Sequence, residues 1–203
     1  RQGEFAAMTS AALHGWWRSW YGKEEFAWPL PPDWTLVDAR MAGAPTLSDA
    51  QLQAALAHPI GRPPLRQLAQ GRRDAVIAID DLTRPTEAYR ILPLILAELN
   101  AAGLRDDQIQ VIVSLGTHRP LTRVDLRKKV GEAVLGRVRV YNHNPYLNLV
   151  QVGTTQFGTA VRVNAEFMAA DLKISLGMLA PHSYAGFSGG GKIVLPGLAS
   201  WET

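Results

Sequence analysis

Ala75-Val76-Ile77-Ala78-Ile79-Asp80 is apolar at every position but the last, which reads as a strand buried on both faces. Two more runs of this kind follow, residues 109–115 (IQVIVSL) and 171–176 (DLKISL). Between the first two, residues 86–102 have helical length and an apolar face, closed by Gly103. After the second, residues 121–130 form a charged helix stopped at Gly131. Buried strands separated by helices imply crossover connections. These stretches therefore predict an α/β fold, doubly wound, with a mainly parallel sheet and helices on both faces.

Outward from this block the signals weaken. Residues 35–38 read as a short strand and 48–57 as a helix with Ser48 as its N-cap, followed by the breakers Pro59-Ile60-Gly61 and Pro63-Pro64. Residues 137–141 alternate as a further strand, and 150–153 with 160–163 flank Gly158 as a hairpin. Residues 1–7, ahead of Met8, read as an appended remnant, and 8–34 as a separate segment holding Trp16, Trp17, Trp20, Trp28 and Trp34. Tryptophans so clustered suit a packed flap or a partner surface.

Composition removes several function classes. The 203 residues are 47% hydrophobic and 19% charged, the balance of a folded domain. With no cysteine there is no disulfide scaffold, thiolate zinc site, iron–sulfur cluster or cysteine nucleophile. The net charge of +3 comes from 21 cations against 18 anions. The cations stand singly or in pairs such as Arg72-Arg73 and Lys128-Lys129, without a basic stripe, so no nucleic-acid partner is expected. No apolar run is long enough to span a bilayer and no secretory leader opens the chain, so the expectation is a cytoplasmic protein without a membrane partner.

In open parallel sheets, ligands gather beyond the carboxyl ends of the strands. Three such ends are polar here. Asp80-Asp81-Leu82-Thr83-Arg84-Pro85-Thr86 follows the first strand and Gly116-Thr117-His118-Arg119-Pro120 the second. The third leads through Gly177 to His182 and on to Gly186-Phe187-Ser188-Gly189-Gly190-Gly191-Lys192. One edge thus receives carboxylates, an arginine, two histidines and a lysine. Each also has a plain structural explanation: Asp81 and Arg84 can cap a helix or pair with each other, and a loop histidine is commonly a surface group. Residues 186–192 satisfy G-x-x-x-x-G-K, the phosphate-binding loop, yet Ile193 stands where Ser or Thr would hold magnesium and Pro196 interrupts the helix that should follow. A nucleotide- or phosphate-binding domain built on this degenerate loop is the alternative reading.

The phrases DDLTRPT, GTHRP, NHN at 142–144, VGTT at 152–155 and PHSYAGFSGGGKIVLPG resemble the N-terminal domain of the nickel-dependent lactate racemase family, from about Tyr21 to the end of the chain. The resemblance implies a 2-hydroxy acid racemase or epimerase. Its cofactor would be a nickel pincer nucleotide, a pyridinium mononucleotide joined to a lysine through a thioamide. Lys192 matches that lysine, with Thr117, Gly189, Gly190 and Gly191 against the cofactor. His118 and His182 match the family's acid/base pair, and Asp81 and Arg84 its strand-end residues near cofactor and substrate. The family's nickel-ligating histidine would lie beyond Thr203, so no metal ligand is assigned within 1–203. Residues 35–203 would then be the N-terminal domain, without its C-terminal domain. That domain, the cofactor-building proteins and a small 2-hydroxy acid are the implied partners. The isolated fragment is expected to be inactive and without cofactor.

Elementary chemistry suits such a set. Removing the α-hydrogen as a proton would ask imidazole to ionise a carbon acid roughly 20 pKa units weaker, on the order of 27 kcal/mol uphill. If that hydrogen leaves as hydride to an electrophilic cofactor, a histidine has only to take the hydroxyl proton. Two stereoisomers then call for two histidines. Arg84 could grip the carboxylate with a two-pronged fork. Asp81 could orient His118 or the cofactor, and the sequence leaves both open.

Overall fold

The computed structural model describes residues 7–8, 12–17, 24–37 and 45–203. Residues 1–6 of the proposed remnant 1–7, together with Trp20, Tyr21 and Asp38, lie outside them. The chain divides into two compact units, Arg1–Thr46 and Leu47–Thr203. In the first, β1 (Ala7–Met8) pairs antiparallel with β4 (Leu36–Val37), and β2 (Ala12–Trp17) with β3 (Glu24–Pro29). The short strand read at 35–38 is therefore present as β4. Trp28 and Trp34 are largely exposed.

The second unit opens with α1 (Asp49–Ala57). Ser48 caps it in a reciprocal box with Gln51, as its sequence position predicts. Next comes α2 (Leu65–Ala69), a five-residue helix begun at Pro64. Then β5 (Ala75–Asp80), α3 (Ala88–Ala101), β6 (Ile109–Ser114), α4 (Arg123–Val130), α5 (Glu132–Leu135) and β7 (Arg139–Asn142) follow. The helix expected from residue 86 begins two residues later because Thr86 is engaged elsewhere. Its hydroxyl donates to Asp80 and its carbonyl accepts from Lys129. Similarly α4 begins after Thr122, whose hydroxyl accepts the Asp125 N–H while the Asp125 carboxylate takes the Thr122 N–H. β7 starts later than residue 137 because the turn closing α5 runs on, the N–H groups of Arg137 and Val138 both donating to Val134.

The hairpin is present as β8 (Leu149–Thr154) and β9 (Ala160–Asn164), leading into α6 (Ala165–Ala169) and β10 (Leu172–Leu176). The four long-range strands make one parallel sheet in the order β10-β5-β6-β7. From β5 the chain winds one way through β6 to β7, then returns over the opposite face to set β10 against the other side of β5. This is an α/β fold whose winding reverses between β5 and β10.

Alternation along the central strands sends side chains to two cores. Ile77, Ile79, Val111 and Val113 pack with Leu92, Leu96 and Leu99 of α3 and with Val130 and Val134 of α4 and α5. Val76, Ala78 and Ile112 face Val163, Phe167, Ile193 and Leu198. The first face is layered by long helices. The second is covered by the five residues of α6, the β8–β9 hairpin and the chain after Ile193.

Candidate active site

The reversal between β5 and β10 leaves a crevice at the carboxyl edge, and three loops fill it. The first leaves β5 at two buried aspartates with different work. Asp80 forms an ion pair with Lys129, Oδ1 to Nζ 2.7 Å, both side chains buried. Its Oδ2 accepts the Thr86 hydroxyl at 2.6 Å and the Met178 N–H at 3.1 Å. Lys129 also donates to the carbonyls of Arg84 and Thr86, each at 3.1 Å. Buried charges of both signs thus clamp this loop from below. Asp81 points the other way: Oδ1 accepts the Thr83 N–H at 2.9 Å, and Oδ2 lies 2.6 Å from His118 Nδ1.

The second loop follows β6. Gly116 adopts φ +55° and donates its N–H to the Gly197 carbonyl at 2.9 Å, a turn that glycine makes without strain. His118 stands beyond it, half exposed, with its Nδ1 edge on the buried Asp81. The carboxylate can only accept, so Nδ1 carries the hydrogen and Nε2 keeps a lone pair.

The third loop leaves β10. β11 (Pro181–His182) and β12 (Gly186–Phe187) form a two-residue ribbon, and a 3-10 turn over Gly190–Ile193 carries Lys192. Ser188 staples the loop, donating to Met178 O at 2.9 Å and accepting from Ala180 N at 3.1 Å. A side chain at Gly189 would come within 2.8 Å of the Met178 carbonyl. At Gly190 and Gly191 there is open space. The Lys192 ammonium has no hydrogen bond or ion pair among the described residues. His182 accepts at Nδ1 from the N–H groups of Tyr184 and Ala185, both 3.2 Å away. Desolvation, then the cations of Lys192 and Arg84, hold its imidazole below the usual histidine value.

A cavity of about 130 Å³ joins the loops, with Asp81, Arg84, Thr117, His118, Gly189 and Lys192 in its wall. A second, of about 260 Å³, shares Thr117 and His118 and extends to Asn142 and Tyr146 at the end of β7. Of the residues singled out in the sequence, His182 stands off the first cavity's wall, facing the charges of Lys192 and Arg84. Gly190 and Gly191 lead into Lys192 without lining it. Among the described residues, Arg84 NH1 donates only to Thr83.

Two residues that shape the site receive no role from the sequence. Lys129 reads as one of a surface pair with Lys128, yet it is buried beneath the loop that carries Asp81 and Arg84. Asp80, the first residue of the strand-end motif, is its counter-charge. His143 of the NHN triplet is structural: its ring is buried, Nε2 donates to Ala199 O at 2.9 Å, and burial lowers its pKa. The phosphate-loop match lacks its context, because Lys192 enters a four-residue 3-10 turn followed by further turns instead of a helix. No cluster of three or more His, Cys, Asp or Glu with metal-ligating geometry occurs among the described residues, and none of the described helices is long and apolar enough to cross a membrane.

The chain is similar to lactate racemase of Lactiplantibacillus plantarum, 36% identical over 75% of this chain and 36% of that protein. It is similar also to lactate racemase of Thermoanaerobacterium thermosaccharolyticum, 32% identical over 89% of this chain and 43% of that one. It therefore spans about two-fifths of the length of these relatives. The solved lactate racemase apoprotein of the second organism superposes with a TM-score of 0.70 at 31% identity, covering 94% of this chain and 44% of that one. A Thermotoga maritima protein of known structure shares the fold, with a TM-score of 0.64 at 24% identity over 77% of this chain and 39% of that one. Residues 21–203 match the lactate racemase N-terminal domain. With these matches, and the motif residues of three strand ends gathered at one edge, the chain belongs to the lactate racemase family through its N-terminal domain.

Proposed function

We propose that this chain is the catalytic, cofactor-carrying half of a 2-hydroxy acid racemase or epimerase. The observation that carries the reading is the Asp81–His118 pair sharing one cavity wall with Arg84 and an unpartnered Lys192. The residues present fit the nickel pincer nucleotide implied by the family resemblance. Lys192 offers an amine engaged by no other group among the described residues, and Gly190 and Gly191 leave open space before it. Thr117 lies on the same wall. When bound, that group supplies a hydride acceptor, which removes the need to ionise the substrate's carbon–hydrogen bond.

The chain's own residues then divide the remaining work. Arg84 binds the substrate carboxylate, its guanidinium being occupied only by Thr83 among the described residues. Asp81 holds His118 with Nδ1 protonated, so that Nε2 receives the hydroxyl proton and the carboxylate steadies the imidazolium that forms. His182 exchanges the proton for the opposite stereoisomer. The metal-ligating histidine and the cover that excludes water are assigned to the part of the relatives' length that this chain does not match. Cofactor-building proteins are the partners required to load Lys192.

The test is intact-protein mass spectrometry of the complete enzyme produced with its cofactor-building proteins, alongside a chiral assay on lactate and related acids. An adduct lost in Lys192→Ala, with racemisation lost as well, is the expected result. Absence of an adduct, or one that survives Lys192→Ala, overturns the assignment.

A further inference from the structure

The two site histidines are held by partners of opposite character. His118 Nδ1 lies 2.6 Å from Asp81 Oδ2, and an ionised carboxylate only accepts. That nitrogen carries a hydrogen, and Nε2 has the lone pair. His182 Nδ1 lies 3.2 Å from Tyr184 N and 3.2 Å from Ala185 N, and backbone amides only donate. That nitrogen has no hydrogen, so the neutral ring carries its hydrogen on Nε2. We infer that His118 and His182 rest as opposite tautomers, the second locked by two amides of its own ribbon, and that His182 must leave this lock in every turnover.

Proton balance requires the release, given the acid/base reading proposed above. As a base working through Nε2, His182 needs its hydrogen on Nδ1. As an acid working through Nε2 it must begin as imidazolium, again with Nδ1 protonated, because a neutral ring giving up Nε2–H would become an imidazolate. If Nδ1 itself meets the substrate, its lone pair must first be freed from the amides. Each route breaks both contacts. His118 is under no such constraint, since its Nδ1–H remains on Asp81 whether Nε2 is empty or protonated.

The ribbon is built to yield. β11 and β12 contribute two residues each, Gly186 at their junction has φ +74°, and the Tyr184 side chain between them is 96% exposed. Among the described residues, the imidazole is the one acceptor of the Tyr184 and Ala185 amides. The backbone of Tyr184 and Ala185 is thus a positioning element. It presents His182 to an incoming hydroxyl as a hydrogen-bond donor, while His118 presents an acceptor.

Nitrogen-15 long-range NMR of the 203-residue chain at pH 8.5 reads the tautomers directly, the two rings being assigned through His118→Gln and His182→Gln. The expected spectrum has His118 with a protonated Nδ1 and a bare Nε2, and His182 with the reverse. Ala185→Pro removes one amide donor and should move His182 to an averaged signal without altering His118. His182 protonated on Nδ1, or already averaged in the unsubstituted chain, overturns the inference, and that spectrum decides alone if a variant fails to fold. This readout is independent of the racemase reading. Opposite tautomers in a protein whose complete form racemises no hydroxy acid would keep the lock and refute the function, and an active enzyme with His182 protonated on Nδ1 would do the reverse.

Discussion

Replacing Lys129 with Met tests whether the site rests on a buried charge. The Lys129 side chain is 2% exposed and that of Asp80 is 8%. In Lys129→Met the apolar stem is kept, and the Asp80 carboxylate loses the ammonium at 2.7 Å, the one partner of its Oδ1 among the described residues. The carbonyls of Arg84 and Thr86 lose their donor as well. Removing one member of a buried pair costs about 3–5 kcal/mol, because the other charge is left uncompensated. Adding Asp80→Asn relieves that charge while an amide oxygen can still accept from Thr86 and Met178, so the double variant should lose less than Lys129→Met alone, about 2 kcal/mol. Urea unfolding of the 203-residue chain followed by far-ultraviolet circular dichroism measures both. A cost under about 1 kcal/mol for Lys129→Met, or a double variant whose loss equals the sum of the two single losses, would refute the reasoning.

Asp81→Asn in the complete enzyme should lower kcat by about 10²- to 10⁴-fold with little change in KM, since His118 loses the acceptor that fixes its tautomer; steady-state kinetics in both directions checks it. Burial holds the His143 imidazole below the usual histidine pKa, so the ring favours its neutral form in the folded state. Its contribution to stability should be complete above pH 6.5 and diminish as the pH falls through the folded-state value, and His143→Gln should remove that slope in unfolding midpoints measured across this range. Gly197→Ala would set a methyl group 2.2 Å from the Ile193 carbonyl and 2.9 Å from Ser114 Cβ. It should cost at least about 2 kcal/mol in the same unfolding assay and displace the Lys192 turn, whose carbonyl the Gly197 amide holds.

What the sequence made legible follows from how each element earns its burial. β5 and β6 announce themselves because a strand inside a parallel sheet must be apolar over most of its length. β10 is a strand as expected, but it lies at the sheet edge with alternate residues exposed, so the alternation of LKISL, and not burial on both faces, is its true signature. Once those ends are located, the rule of the carboxyl edge leads to Asp81, Arg84, His118, His182 and Lys192 without further information. The helices α2, α5 and α6 escape because four or five residues are too few to establish a 3.6-residue period. Lys129 escapes for a different reason. A lysine beside another lysine in a charged helix looks solvated, and its burial depends on Asp80, 49 positions earlier, which only the folded sheet brings beneath it. The choice between Asp81 orienting His118 and Asp81 serving a cofactor is also a matter of distance, and the 2.6 Å contact favours the histidine.

The strand order β10-β5-β6-β7 also governs when the site comes into existence. β5, β6 and β7 are neighbours in sequence as in space, so their pairings close short loops through α3 and through α4 with α5. β10 pairs with β5 from nearly a hundred positions away, Leu172 opposite Ala75, and ordering the intervening chain carries a larger entropic cost. The Asp81–His118 pair belongs wholly to the early block, whereas Lys192 and His182 arrive only with the last strand. A chain emerging from the ribosome would therefore set the Asp81–His118 pair in place before it owns Lys192, the lysine proposed above to carry the cofactor.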